Sequence, residues 1–308
     1  MLYGKMVLMK TLFCARPPRP IPPLPTRARA DTPPAATRRP ARRRPNGGLA
    51  RRLLASLLCL LGGATLPATA EPLLVAAASD LAGCIEELGA AFRRQAPEAE
   101  LKVTTGASGN LFAQIKNGAP YDVFLSADLD YPSRLARDGA ADPASLTPYA
   151  RGRLALWSLD ARFDLRLGWR VLADARLTRI AIANPAIAPY GRAAKAGLEQ
   201  QRLWQTVEPK LVLGENIAQT AQFIQTGNAE LGIVSLATVR SPRLKGVGSY
   251  ALLPETGGAP ITQGAVVTRH GQSNALAARF VRFLGSPAAR EVLERNGFEA
   301  PPEPSAPP

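Results

Sequence analysis

The sequence predicts an α/β fold of two lobes, each a mainly parallel β-sheet flanked by helices, with a ligand cleft between the lobes. Three observations carry this reading. From residue 72 onward short apolar runs alternate with segments of helical period, the pattern of parallel strands covered by crossover helices. The alternation is played through twice. No flexible linker separates the two sets, so strands should cross between the lobes and leave a cleft at their interface.

The elements follow in order. Leu73 to Ala77 reads as a buried strand, and Leu81, Cys84, Ile85, Leu88 and Phe92 fall on one helical face. Leu101 to Thr105 is a second strand, 109–117 a helix and Asp122 to Leu125 a third strand. Arg153 to Trp157 opens the second set, followed by Ile180 to Ala183, a helix from Pro189 to about Gln200, Lys210 to Leu213, a helix from Asn216 to Gln225, and Leu231 to Val234. After 245–253, Ile261 to Thr268 is strand-like and two helices close the chain. The last has Ser286 as N-cap, Pro287 in its first turn and Gly297 as its stop. The resulting division is 71–150 with 256–300 for lobe 1, 151–255 for lobe 2, and a disordered Pro-rich tail at 301–308.

Charge is unevenly spread over the 308 residues. Residues 1–70 hold 13 of the 38 Lys and Arg but only one acid, Asp31, so this leader carries +12 of the formal +14. The basic excess therefore does not sit on a folded face, which argues against nucleic acid as a partner. Residues 15–46 are Pro/Arg-rich and too poor in large apolar side chains to fold. Arg51-Arg52, the apolar run Leu53 to Leu61 and Ala68-Thr69-Ala70 then have the order of a secretory signal, with cleavage expected after Ala70 and a periplasmic destination. The apolar stretch is broken by Gly62-Gly63 and falls short of the ~20 residues that span a bilayer. Cleavage would leave Cys84 as the sole cysteine, unable to form an internal disulfide or a thiolate metal cluster. At an apolar helical position it reads as a core residue.

Enzyme signatures are missing. There is one histidine, His270, and no H-E-x-x-H, C-x-x-C, G-x-x-x-x-G-K-[ST] or G-x-G-x-x-G. Gly106-Ala107-Ser108-Gly109-Asn110 approaches a nucleophile elbow but has Asn where the second glycine of G-x-S-x-G belongs. His270, in the polar turn after a strand, is expected to be a surface loop residue.

A different pattern recurs. At Ala78-Ser79-Asp80, Ala107-Ser108-Gly109-Asn110, Ala188-Pro189-Tyr190-Gly191 and Gly214-Glu215-Asn216-Ile217, small and hydroxylated residues lead from a strand straight into a helix. Helix N-termini present unpaired N–H groups and partial positive charge, so several converging on a cleft would cage an anion. The competing reading is that Ser79, Ser108 and Asn216 only cap their own helices. Asp80 is discordant, because a carboxylate repels an anion unless it turns away.

At these residues the chain resembles the periplasmic molybdate-binding proteins of ATP-driven (ABC) importers, across about 72–300. The resemblance runs through Ala76-Ala77-Ala78-Ser79, Gly106 to Leu111, Gly118 to Asp128, Asn184-Pro185, Pro189-Tyr190-Gly191 and Gly232-Ile233-Val234. It implies the type II periplasmic-binding fold and a solute-binding protein, not an enzyme, that captures molybdate or tungstate and delivers it to a membrane permease. It also implies that Ser79 and Ser108 give hydroxyl and backbone donors, and that Tyr190 and Ile217 give backbone donors. Some members place a tyrosine after the Gly-Ile-Val strand where this chain has Ser235, so Ser235 and Tyr190 compete as side-chain donors. Asp80 joins the candidates as a neighbour of Ser79.

The expected ligand is an oxyanion, with no cofactor and no direct cation site, and the expected state is a monomer. Molybdate, tungstate and sulfate are dianions with no proton to donate, which suits a cage made of donors. Phosphate would reward an acceptor, which would have to be Asp80. A receptor for sulfate, thiosulfate or phosphate, a periplasmic enzyme on the same scaffold and the effector lobe of a transcription regulator remain as alternatives.

Overall fold

The computed structural model describes residues 71–255 and 260–301. The leader with its expected cleavage site and the tail from 302 onward lie outside the described residues. Among those described, no helix is long and apolar enough to cross a membrane.

Ten strands form two five-stranded sheets. The first holds β1 (Leu73–Ala78), β2 (Leu101–Gly106), β3 (Val123–Ser126), β4 (Thr147–Gly152) and β10 (Ile261–Val267) in the order β2-β1-β3-β10-β4. The second holds β5 (Leu154–Ser158), β6 (Ile180–Ala183), β7 (Leu211–Gly214), β8 (Leu231–Ser235) and β9 (Ser249–Leu252) in the order β7-β6-β8-β5-β9. β1 pairs in parallel with β2 and β3, and β6 with β7 and β8. β10 and β5 run antiparallel to both of their neighbours. These two strands each follow a passage of the chain from one sheet to the other. The two sheets thus repeat one topology.

Each sheet is covered on both faces, which explains why its central strands β1, β3, β6 and β8 read as apolar runs without alternation. Leu73, Val75 and Ala77 face α1 (Ile85–Arg93), α8 (Ala275–Leu284) and α9 (Pro287–Arg295), where Phe92 meets Phe280 edge-on at 5.1 Å. Ala76, Phe124 and Val266 face α2 (Ser108–Lys116) and α3 (Asp130–Arg137). In the second sheet Ile180 and Ile182 pack with Ala194 and Leu198 of α4 (Pro189–Gln200) and with Trp169, beside the short α5 (Trp204–Val207). Trp157, Ala181 and Ala183 pack with Ile217, Ala221 and Ile224 of α6 (Ile217–Gln225). Full burial of such a side chain contributes about 1.5–3 kcal/mol. Cys84 is free and buried, and burial pushes its thiol far above the ordinary range, so it is an inert core residue.

The first helix differs from its sequence expectation. A 3-10 turn, Ser79–Gly83, precedes α1, and the two are separated at Cys84 (φ −132°, ψ −7°). The turn lies so close to the helix that follows β8, α7 (Leu236–Arg240), that a Cβ on Gly83 would stand 2.7 Å from the Ser241 Cβ. Strand β4 was not legible in the sequence; its residues Thr147-Pro148 and Arg151 give no apolar run.

The chain passes between the sheets at Arg153, which joins β4 to β5, and again between Leu252 and Ile261. The first passage is tied to Glu299, and Arg153 links it to the second through Glu255 at 3.4 Å. Arg151 and Glu299 exchange backbone hydrogen bonds at 2.8 and 2.9 Å, and Arg153 reaches the Glu299 carboxylate at 2.6 Å.

Candidate functional site

Four strand ends feed helices at one place. β1 runs into the turn at Ser79, β2 into α2 at Ser108, β6 through a short loop into α4 at Pro189, and β7 into α6 at Ile217. Ser79, Asp80 and Ser108 from the first lobe and Tyr190, Asn216 and Ile217 from the second line one small cavity. Five of the six sequence candidates therefore meet, at the carboxyl ends of parallel strands where α/β sheets place ligands.

The caps separate the two readings of these junctions. The turn at Ser79, α2 and α4 have Ala78, Ala107 and Ala188 at their N-caps, with no side-chain capping bond. The N–H groups of the buried Ser79, Ser108 and Tyr190 at these starts thus have no capping side chain to accept from them. Ser79 and Ser108 sit at the first position inside and do not cap. Only α6 is capped by its own side chain: Asn216 Oδ1 accepts from Ala218 and Gln219 N–H, each at 3.0 Å. Ser108 Oγ accepts from the Ala127 N–H at 3.1 Å, which holds its rotamer and leaves the hydroxyl proton to donate. Among the described residues, no Lys, Arg or His lines this cavity.

Asp80 is its one charged residue, and it is 2% exposed. Oδ2 accepts from Gln263 Nε2, whereas Oδ1 is buried without a hydrogen-bond partner. Gln263 also receives the Tyr149 hydroxyl at 2.6 Å and donates toward the Tyr190 hydroxyl at 3.3 Å. Burial pushes the Asp80 carboxyl up to about 6, against the hydrogen bonds from Gln263 and Tyr190 that favour its charged form. Burial likewise raises the phenols of Tyr149 and Tyr190 well above their ordinary value. The Tyr190 ring crosses to the first lobe, where only a glycine fits beneath it: a Cβ on Gly152 would lie 2.0 Å from its hydroxyl.

Ser235 is not brought to the cavity. It is fully buried at the N-cap of α7, where Oγ accepts from the Thr238 N–H at 3.0 Å and pairs with Thr238 Oγ1 at 2.7 Å. Its hydroxyl is thus engaged by two partners of its own helix end.

Contacts between the lobes surround the site. The Gly109 N–H donates to the Ile187 carbonyl at 2.9 Å, Asn110 Nδ2 donates to Glu215 Oε1 at 2.7 Å, and Arg192 pairs with Asp128. Arg192, expected to face solvent, is half-exposed and spans the cleft. A larger cavity of about 390 Å³ lies beside the passages between the sheets, lined by Leu154, Trp169, Arg153, Arg192 and Glu255 among others. Its cations are already paired, Arg192 with Asp128 and Arg153 with Glu299, so it is not where an anion would be caged. His270 is half-exposed and bonds through Nδ1 to Asp122 Oδ1 at 3.0 Å, just before β3 and thus at the opposite end of the parallel strands from Ser108. No serine-histidine pair is assembled there.

Sequence reasoning missed Gln263 and Tyr149. A signal for Gln263 existed, since an amide within the apolar run Ile261 to Val267 must find partners when buried. The partner Tyr149 comes from β4, which the apolar pattern did not reveal.

Comparison with known proteins finds relatives over most of the chain. The chain is 38% identical over 245 residues to the molybdate-binding protein ModA of Rhodobacter capsulatus, covering 79% of this chain and 94% of that one. It is 36% identical to ModA of Azotobacter vinelandii over 80% of this chain and 97% of the relative. The solved periplasmic molybdate-binding protein of A. vinelandii superposes with a TM-score of 0.69 at 35% identity, over 75% of this chain and all of that one. The profile of bacterial extracellular solute-binding proteins matches residues 73–299, and with these relatives it shows that the chain belongs to that family.

Proposed function

We propose that this protein captures molybdate or tungstate in the cavity between its lobes and hands it to the permease of an ABC importer. The observation that carries the reading is the convergence of four strand-to-helix junctions, three without side-chain caps, on a cavity lined by neutral donors and a single buried carboxyl, Asp80. The names of the relatives supply the anion. Ser79 and Ser108 donate hydroxyl and backbone N–H bonds, and Tyr190 and Ile217 donate backbone N–H bonds. Neutral dipoles from both lobes complete the shell only when the lobes meet, so binding drives closure. Oxygen-rich dianions without a proton match such a donor set. Selection against sulfate rests on size, because Mo–O bonds are longer than S–O bonds.

The protein works as a monomer in the periplasm after cleavage behind Ala70, and an amino terminus other than Glu71 on the exported protein overturns that cleavage site. The binding reading is tested by thermal shift on anion-free protein with molybdate, tungstate, sulfate and phosphate added separately. A ligand that binds only the folded state raises the melting temperature. A rise with molybdate and tungstate but not with sulfate is expected. No rise with any of the four overturns the reading.

A further inference from the structure

We propose that Asp80 takes up a proton when the cleft closes on a doubly charged oxyanion, so that capture by this chain is coupled to protonation of its own site. The inference rests on the reading above that this cavity holds such an anion. It starts from an arrangement that a dianion makes costly. The Asp80 carboxyl lines the cavity, is 2% exposed, and has one oxygen, Oδ1, with no hydrogen-bond partner. An ionised carboxylate and a dianion enclosed together repel at short range, and among the described residues no Lys, Arg or His lines the cavity to offset either charge.

The groups facing Asp80 from each neighbouring element do not supply that charge. Gln263 on β10 is neutral, and Tyr149 on β4 and Tyr190 on α4 are phenols kept in their neutral form by burial. Cys84, just after the turn, is a buried thiol held protonated. α6, which also packs on the turn, bears no titratable side chain, and Glu215 ahead of it is exposed and bonded to Asn110. Glu86 and Glu87 of α1, Lys102 of β2 and Arg240 of α7 are all exposed. Nothing nearby but a proton can cancel the charge of Asp80.

That proton is within easy reach. Burial has already moved the carboxyl up to about 6, so placing a proton on it at pH 7 costs about a factor of ten in binding constant. The bound dianion moves the carboxyl further in the same direction. Once protonated, Oδ1 becomes a donor in a cavity of donors, and the one discordant residue joins the shell. An Asp80 that stayed ionised would instead accept a hydrogen bond from a protonated oxyanion such as hydrogenphosphate and would favour it.

The sign follows by linkage. The complex binds more protons than the free protein, so affinity falls as pH rises above about 6, by up to about tenfold per pH unit.

Calorimetric titration of the anion-free protein with molybdate at pH 7, in buffers of different ionisation heat, reads the proton directly. The apparent heats should vary with buffer in proportion to an uptake approaching about one proton per anion. In Asp80→Asn that buffer dependence should vanish and the pH dependence of affinity should flatten. Equal heats in all buffers overturn the proposal, as does a buffer dependence that persists in Asp80→Asn. If that variant does not fold, the wild-type infrared difference spectrum decides: the bound state gains a protonated-carboxyl stretch, and its absence overturns the proposal. No molybdate heat in any buffer brings down the anion reading itself, and this inference with it.

Discussion

The backbone N–H of Gly109 donates to the carbonyl of Ile187 at 2.9 Å, joining the first turn of α2 in one lobe to the loop before α4 in the other. The approach leaves no room for a side chain: a Cβ on Gly109 would lie 2.7 Å from that carbonyl oxygen and 2.6 Å from the Tyr131 hydroxyl. Gly109 is helical, so alanine there suits its own helix but crowds Ile187 of the facing lobe and the Tyr131 hydroxyl of its own. Gly109→Ala should therefore weaken molybdate binding by about 1–3 kcal/mol, the usual cost of forced overpacking. Melting of the anion-free protein should fall modestly, because the Tyr131 hydroxyl must shift to make room. A calorimetric affinity equal to wild type removes this contact from the closing step.

Ser108→Ala removes two interactions. It takes away a hydroxyl donor to the anion, a charge-assisted bond worth about 1.5–3 kcal/mol, and the acceptor of the Ala127 N–H, worth about 1 kcal/mol. The expected result is a roughly tenfold or greater loss of molybdate affinity with a modest drop in melting temperature. If only the melting temperature moves, Ser108 serves the fold and not the ligand.

Much of this arrangement was legible in the sequence, for identifiable reasons. Buried parallel strands announce themselves as apolar runs, which is why β1, β3, β6 and β8 could be placed. Small residues at their ends mark helices starting close to a ligand, which brought the four junctions forward, and the family resemblance singled out Ser79, Ser108, Tyr190 and Ile217 within them. What stayed hidden depends on partners distant in the chain. Asp80 acquires its character from Gln263, 183 residues away, and Gln263 from Tyr149 on a strand with no apolar signature. Ser235 stayed ambiguous for a related reason, since a hydroxyl after a strand fits both a ligand donor and an N-cap, and only the structure sets Thr238 beside it.

Tyr190 combines a backbone that lines the cavity with a hydroxyl directed at Gln263 and Gly152. Tyr190→Phe keeps the N–H and deletes the hydroxyl. Molybdate affinity should fall by less than about 1 kcal/mol, well short of the Ser108→Ala loss, while stability drops by about 1 kcal/mol for the lost buried bond. A loss of affinity equal to that of Ser108→Ala, measured side by side, would make the phenol a direct ligand.

Ser235→Ala separates capping from binding in the reverse sense. Loss of an N-cap costs about 1 kcal/mol of stability, so the melting temperature should fall. The anion shell is untouched, so the molybdate dissociation constant should match wild type. A weakened constant in calorimetry would return Ser235 to the binding residues.

Asp80 also sets a pH dependence of stability in the absence of anion. Its folded carboxyl lies at about 6 against an ordinary 3.8, so folding favours the protonated form. The stability this group allows is fully present below the ordinary value and is lost as pH rises through about 6. Over that interval the shift of about two units corresponds to roughly 3 kcal/mol. Asp80→Asn keeps an acceptor for Gln263 and carries no charge to desolvate. Its advantage over wild type in denaturant unfolding should therefore be small at pH 4, grow between pH 4 and 6.5, and level off above. A constant difference across that range would mean that Asp80 is not held neutral by the fold, and that its unpartnered oxygen is reached by water in solution.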